Sequence, residues 1–267
     1  LPIPQCDPLN QLDFLAENNE FRFLWDELPA FCMAAAGRCQ QFDLNGPKRF
    51  DLAQRFSDEV LDRLQDVSPE APVKANARIL LSFSFFEKTS ERKHEVAGNF
   101  SAVQAVLPRW QLIRASKIGW LRLNGVVTHE AEARELAEEI WLMRDRLAKS
   151  SNEHLDFVSK RPFVLDSPMA WKNTFKESLE MGIELVNEGI LQKLVLAARH
   201  SISFESSINP LPILFRLRKS QMGSCRFLWQ TNKDHSFFGA SPERLLSMHK
   251  GQLNIDALAG TASISDN

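Results

Sequence analysis

Residues Gly189–Arg199 have the sequence Gly-Ile-Leu-Gln-Lys-Leu-Val-Leu-Ala-Ala-Arg, an apolar stretch interrupted by Lys193. Its alternation predicts a strand at Leu191–Arg199, and because both faces are largely apolar, we expect that strand to be central in a sheet. A buried ammonium group is unfavourable unless it is paired or neutral. A neutral lysine in this strand would be a base, whereas a lysine that reaches solvent from a strand end is the alternative.

The segment before this stretch predicts a helix. Ser167-Pro168 is a typical helix start, with serine as the cap and proline in the first turn, and Gly189 predicts the helix end. Five apolar residues share one helical face: Trp171, Phe175, Leu179, Ile183 and Val186. The preceding segment 149–165 is the most polar connection in the chain and predicts a boundary between 1–160 and 161–267.

Two further stretches contain candidate functional residues. In Phe237–Leu246, an apolar strand ends in Gly-Ala-Ser-Pro, so proline fixes the backbone directly before Glu243. A carboxyl beside apolar side chains is a candidate proton donor, and a surface glutamate after a turn is the alternative. In Ala257–Thr261, small residues allow close approach of a ligand to the backbone, and the threonine hydroxyl could bind an anion.

The remaining sequence alternates between predicted helices and strands. Amphipathic spacing predicts helices at 47–66, 129–148 and 210–221. Apolar or alternating runs predict strands at 21–25, 77–85, 102–114, 225–231 and 236–240. The run at 102–114 is expected to form two strand pieces, with Pro108 at a bulge or an edge. Residues 244–259 predict a hairpin, and the whole pattern predicts an α+β architecture.

Composition and charge restrict the class of protein. The 267 residues are 44% hydrophobic and 25% charged, as in a globular protein with a substantial core. The formal net charge of −2 gives no indication of a nucleic-acid partner. No apolar run reaches the roughly 20 residues of a membrane-spanning helix, and no secretory signal is visible. The four cysteines match no zinc or redox spacing, so we expect free thiols in a cytoplasmic protein without membrane contact.

Together, the three candidate stretches resemble the chorismate-binding enzyme family. The family's G-x-L-x-K-x-V-L-A-R strand is matched by Gly189–Arg199 with one extra alanine. Its F-x-G-x-S-P-E-x-L pattern is matched by Phe237–Leu245, and its A-G-T signature by Ala259–Thr261. Glu243 follows Lys193 by 50 residues, as in the family. Weaker similarity extends through the N-terminal half, so the resemblance covers nearly the whole chain.

This resemblance implies a fold as well as a reaction. It implies an α+β fold of the anthranilate synthase component I type, with mixed β-sheets flanked by helices and incomplete at its C-terminus. Residues 1–160 would be the N-terminal region, and 161–267 the start of the catalytic subdomain, the two forming one intertwined domain. A monomer is expected, as is common in the family.

The residue types within the motifs favour isochorismate synthase, an isomerase. Members that form isochorismate or salicylate have a lysine at the position of Lys193, whereas anthranilate synthases usually have glutamine. Aminodeoxychorismate synthases also have a lysine, so this position alone does not decide. Ala257-Leu258 before the A-G-T signature resembles the isochorismate type, whereas the amine-adding members typically have Pro-Ile. The resemblance implies that Lys193 is the general base that activates water and that Glu243 is the general acid. Gly260 and Thr261 would line the substrate, chorismate, and magnesium would be the cofactor.

Three alternatives and one departure from the family accompany this interpretation. Aminodeoxychorismate synthase, salicylate synthase and a non-catalytic fragment of the same fold are the alternatives. The family's magnesium-binding glutamates belong to a later region of the fold, so no metal ligand is assigned in this chain, which ends at Asn267. We therefore expect that the 267-residue chain alone does not convert chorismate and that the intact gene product is longer.

Overall fold

The computed structural model describes residues 1–4, 6–16, 20–68, 70–87, 100–116, 118–150, 164–166, 171–198, 200–249 and 251–256. It contains two compact units, one formed by Leu1–Asp156 with Pro210–Asn267 and the other by Phe157–Asn209. Within the described residues, no helix is both long and apolar enough to cross a bilayer. All four cysteines are free thiols, as predicted.

Strands and helices alternate along the chain. The strands are β1 (Pro2–Ile3), β2 (Arg22–Glu27), β3 (Phe31–Leu44), β4 (Leu80–Phe83), β5 (Val103–Ala115), β6 (Ile118–Leu123), β7 (Val164–Asp166), β8 (Ser203–Phe204), β9 (Cys225–Asn232), β10 (His235–Ser241), β11 (Ser247–His249) and β12 (Gln252–Asn254). The α-helices are α1 (Pro8–Leu15), α2 (Arg49–Asp62), α3 (Glu130–Ser150), α4 (Trp171–Asn187) and α5 (Pro210–Ser220), and a short 3-10 helix covers Val73–Ala75. These elements confirm the predicted α+β class and each of the predicted helices, although the expected start of α4 at Ser167-Pro168 lies outside the described residues.

An eight-stranded sheet forms the centre of the first unit. Its hydrogen-bonded order is β1-β6-β5-β3-β2-β9-β10, with β4 paired to the first half of β5. Every strand pairing that the structure describes is antiparallel. The sheet takes β2 from the predicted N-terminal region, 1–160, and its neighbour β9 from 161–267. The division of the chain at residue 160 itself stays a prediction.

Pro108 lies inside a continuous strand, so the prediction of two strand pieces at 102–114 is wrong. The partner strand β3 shifts its register between Arg38 and Gln40, opposite Pro108. Because proline has no N–H to donate, this irregularity accommodates it without ending β5. On its other side, the Pro108 carbonyl accepts the Asn124 Nδ2 at 2.8 Å.

Aromatic and small side chains from four strands and their connections form one cluster of the core. The Phe21 and Trp229 rings pack edge to face with centroids 5.1 Å apart. The buried members of this cluster are Phe21, Met33, Ala35, Leu80, Val106, Ile113, Ala115 and Trp229. Since these residues are spread over most of the first unit's sequence, this core closes only when β9 pairs with β2.

A buried ion network fixes the position of two helices on this sheet. Asp26 of β2 is fully buried and accepts the Arg218 Nε at 2.7 Å and the Arg226 Nε at 3.2 Å. Arg218 also donates to Asp7 Oδ1 at 3.0 Å, and Asp7 caps α1 by accepting the Leu9 N–H at 3.1 Å. The network therefore joins α1, α5, β2 and β9 through residues up to 211 positions apart.

Asp26 makes the stability of the fold sensitive to acid. Burial raises the pKa of Asp26, but the hydrogen bond from Arg226, the charge of Arg218 and the Leu28 N–H outweigh it and hold this pKa below the ordinary value of 3.8. A carboxyl with a lowered folded-state pKa stabilises the fold above its unfolded pKa, and this contribution is lost as the pH falls through the folded pKa. We expect the free energy of unfolding in urea to decrease below about pH 4. The free energy of unfolding of Asp26→Asn should decrease less over the same pH range. An equal decrease in both proteins would show that Asp26 is not the source of the acid sensitivity.

Candidate active site

Lys193 lies in the second unit, beside an apolar groove along helix α4. The groove has a volume of about 610 Å³. It is lined by Phe175, Leu179, Gly182, Ile183, Val186, Asn187, Lys193, Leu194, Val195 and Leu196. The predicted apolar face of α4 thus forms one wall, and the segment with the predicted base forms the other.

The end of α4 directs the chain back along the helix. Gly189 has φ +73°, a left-handed conformation that favours glycine and is typical of a helix C-terminus. The N–H groups of Ile190 and Leu191 both donate to the Leu185 carbonyl at 3.0 Å. Ten residues beyond Ile190, the His200 ring lies 5.5 Å from the Trp171 ring at the first residue of α4. Residues 191–198 therefore run antiparallel to α4, and the predicted helix end at Gly189 is confirmed.

The strand predicted at Leu191–Arg199 is wrong for residues 191–198, which form no strand, and Arg199 lies outside the described residues. A strand requires a neighbour for its N–H and C=O groups. The nearby strands β7 and β8 pair with each other, and no described segment pairs with 191–198. Lys193 is consequently exposed on the groove, and the central, buried position expected for it is wrong.

Glu243 lies in the first unit, directly after β10 ends at Ser241. The Ser241 hydroxyl donates to the main-chain carbonyl of Glu243 at 3.1 Å. This local hydrogen bond closes the turn that contains Pro242. Glu243 is exposed, and the following Leu245 is itself 85% exposed. The apolar enclosure expected around this carboxyl is therefore not formed by the described residues.

An ion pair connects the residue after Glu243 with the end of the following hairpin. Arg244 donates through Nε and Nη2 to Asp256 Oδ2 at 3.1 and 2.9 Å. The two residues lie on either side of the hairpin formed by β11 and β12. This antiparallel pairing confirms the hairpin predicted at 244–259. Asp256 directly precedes Ala257–Thr261 in sequence, but Gly260 and Thr261 lie outside the described residues. This pair could not be predicted from the sequence, because an Arg and an Asp 12 residues apart have no periodic signature.

The described residues do not fit a magnesium site. Over the described ranges, no three His, Cys, Asp or Glu side chains lie close enough together to hold a metal ion. Magnesium prefers oxygen ligands, chiefly carboxylates together with water. Its role therefore stays an expectation from the resemblance.

Comparison with known proteins identifies the class of enzyme to which these residues belong. The family model for chorismate binding enzymes matches residues 1–267, the whole chain. The chain therefore belongs to the chorismate-binding enzyme family, as the motifs predicted.

Individual members of the family match parts of the chain. The chain is similar to isochorismate synthase MenF of Haemophilus influenzae, with 33% identity over 95 residues, 36% of this chain and 22% of that protein. It is similar to isochorismate synthase MenF of Escherichia coli, with 29% identity over 92 residues, 34% of this chain and 21% of that protein. Anthranilate synthase component 1 of Lactococcus lactis is 31% identical over 115 residues, 43% of this chain and 24% of that protein.

A solved structure gives the same fold. The menaquinone-specific isochorismate synthase MenF of Escherichia coli matches with a TM-score of 0.61 and 20% identity, over 92% of this chain and 50% of that chain. At this identity the match shows the fold, which confirms the chorismate-binding fold expected from the motifs. The chain thus spans half the length of that structure.

Proposed function

We propose that the protein acts as an isochorismate synthase, an isomerase that interconverts chorismate and isochorismate. The observation that carries the proposal is Lys193 together with Ala257-Leu258 before the A-G-T signature. The lysine differs from the glutamine usual in anthranilate synthases, and Ala-Leu resembles the isochorismate type, whereas the amine-adding members typically have Pro-Ile. The similarity to isochorismate synthases of Haemophilus influenzae and Escherichia coli supports the same choice. We also propose that the protein is a cytoplasmic monomer and that its product enters a quinone pathway, such as that of menaquinone or phylloquinone.

In the proposed reaction, two side chains move protons on chorismate. Lys193 takes a proton from a water molecule as the water oxygen bonds to C2 of the ring. Glu243 donates a proton to the C4 hydroxyl, which leaves as water while the ring double bonds shift. Gly260 and Thr261 would lie along the substrate. General acid–base catalysis by positioned side chains of this kind contributes about 10²–10⁴-fold to a rate.

Aminodeoxychorismate and salicylate formation are the alternatives within the family. The similarity to an anthranilate synthase component supports an amine-adding reaction. Anthranilate synthases usually have glutamine in place of Lys193, but aminodeoxychorismate synthases also have a lysine there. Of isochorismate, aminodeoxychorismate and salicylate formation, only the second consumes ammonia and only the third releases pyruvate. The products therefore distinguish these activities.

The test is a product assay on the protein of the complete gene and, separately, on the 267-residue chain. We expect the complete protein to form isochorismate from chorismate with magnesium, to need no ammonia, and to lose activity in EDTA until magnesium is restored. We expect the 267-residue chain alone to be inactive. Isochorismate made by the short chain would contradict the need for further residues. No product from the complete protein would favour the non-catalytic alternative.

A further inference from the structure

A glycine in the middle of helix α4 leaves a notch beside the Lys193 segment. Among the residues of α4, Trp171–Asn187, Gly182 is the buried one. A Cβ atom built on Gly182 would lie 2.4 Å from the Leu194 Cδ2, closer than two carbon atoms can approach without a shift. Leu194 therefore occupies the space that any other residue at position 182 would fill.

Glycine at this place is unfavourable for the helix itself. It raises the backbone entropy lost on folding and is among the weakest helix formers, whereas alanine is the strongest. Gly182 has φ in the ordinary helical range, so no special backbone conformation requires it. The contact with Leu194 is the feature of the structure that explains its presence.

Leu194 lies in the notch in the middle of a segment that is held at both ends. At one end, Ile190 and Leu191 are hydrogen-bonded to the Leu185 carbonyl, and at the other His200 lies against Trp171. Between these points, residues 191–198 have no strand partner in the described structure. Leu194 thus contacts α4 between the two held ends of residues 191–198, and Lys193 is its direct neighbour.

We infer that Gly182 and Leu194 are a pair of positioning residues for Lys193. This inference rests on the proposed function, in which Lys193 takes the proton from water. Leu194 is 42% exposed, so its side chain is only partly buried in the notch. Its proposed role is therefore to position the neighbouring residues and not to stabilise a core. A displacement of about 1 Å at a catalytic group can cost up to about 100-fold in rate.

The test is Gly182→Ala in the protein of the complete gene, measured by isochorismate formation. We expect kcat to fall about tenfold or more, because the new Cβ displaces Leu194, while KM changes less than about twofold. The melting temperature should stay the same or rise, because alanine favours the helix. Thr174→Ala, on an exposed face of the same helix, is the matched control and should keep the kcat of the wild type.

A second substitution separates positioning from simple damage to the fold. Leu194→Ala alone should also lower kcat, because it empties the notch. Gly182→Ala combined with Leu194→Ala restores a contact between two small side chains, and we expect the double variant to be more active than Gly182→Ala.

The inference would be overturned if Gly182→Ala kept the kcat of the wild type, or if its loss of kcat came with a lowered melting temperature. It would also be overturned if the double variant had no higher kcat than Gly182→Ala. If the wild-type protein forms no isochorismate, the proposed function fails first, and the inference fails with it.

Discussion

Replacing Lys193 with alanine should lower the rate of isochorismate formation by about 10²–10⁴-fold, the contribution of a positioned general base. The lysine is exposed on the α4 groove, so its removal leaves no buried charge and no cavity. We therefore expect an unchanged melting temperature, and a decrease in kcat without a comparable rise in KM. Steady-state kinetics on chorismate, with the product identified by chromatography, measures both.

Two further variants test whether Lys193 acts as a base or only as a positive charge. Lys193→Arg keeps the charge and much of the reach, but an arginine stays protonated in proteins and cannot take a proton from water. We expect this variant to be as inactive as Lys193→Ala. Lys176→Ala is the matched control, because Lys176 is exposed on α4 and forms only a surface pair with Glu180 at 3.8 Å. An active Lys193→Arg enzyme would show that the charge alone is required.

Replacing Asp26 with alanine should destabilise the fold by about 3–5 kcal/mol, the usual cost of removing one partner from a buried ion pair. Arg226 is 2% exposed, and without Asp26 its guanidinium would stay buried with Ser224 O as its remaining hydrogen-bond partner. Arg218 would keep its contact with Asp7 but lose its attachment to β2. The free energy of unfolding, from urea titration near neutral pH, measures the loss.

An exposed ion pair of the same unit gives the control. Glu130 and Arg134 pair one turn apart on α3, with side chains that are 81% and 75% exposed. Exposed pairs at this spacing contribute about 0.3–0.5 kcal/mol, so Glu130→Ala should change the stability by less than about 1 kcal/mol. If both substitutions have similarly small effects, the network around Asp26 does not hold α5 on the sheet.

Much of the local structure could be predicted from the sequence. Amphipathic spacing placed α2, α3 and α5 within a few residues, and Gly189 marked the end of α4, because helix periodicity and capping depend on residues close in the chain. The strand before Glu243 was predicted for the same reason, since β10 pairs with the adjacent strand β9 through a short turn.

The candidate site could be predicted only as a set of residue types. The motifs identified Lys193 and Glu243 as candidates, and the match over the whole chain confirmed the family. The surroundings of Lys193 were predicted wrongly: an alternating apolar segment becomes a strand only where another strand accepts its hydrogen bonds. The described structure provides a helix beside residues 191–198 instead. The roles of both residues stay predictions that the kinetic variants test.

The sequence by itself determined the family, the candidate residues and most helices, because motif chemistry and helical periodicity are local properties. Only the tertiary structure decided the sheet order, in which β2 pairs with β9 about 200 residues away, and the burial of Asp26 between Arg218 and Arg226. It also revealed the notch in which Leu194 meets Gly182. Contacts of this kind depend on side chains that meet only after the chain has folded, and no local pattern specifies them.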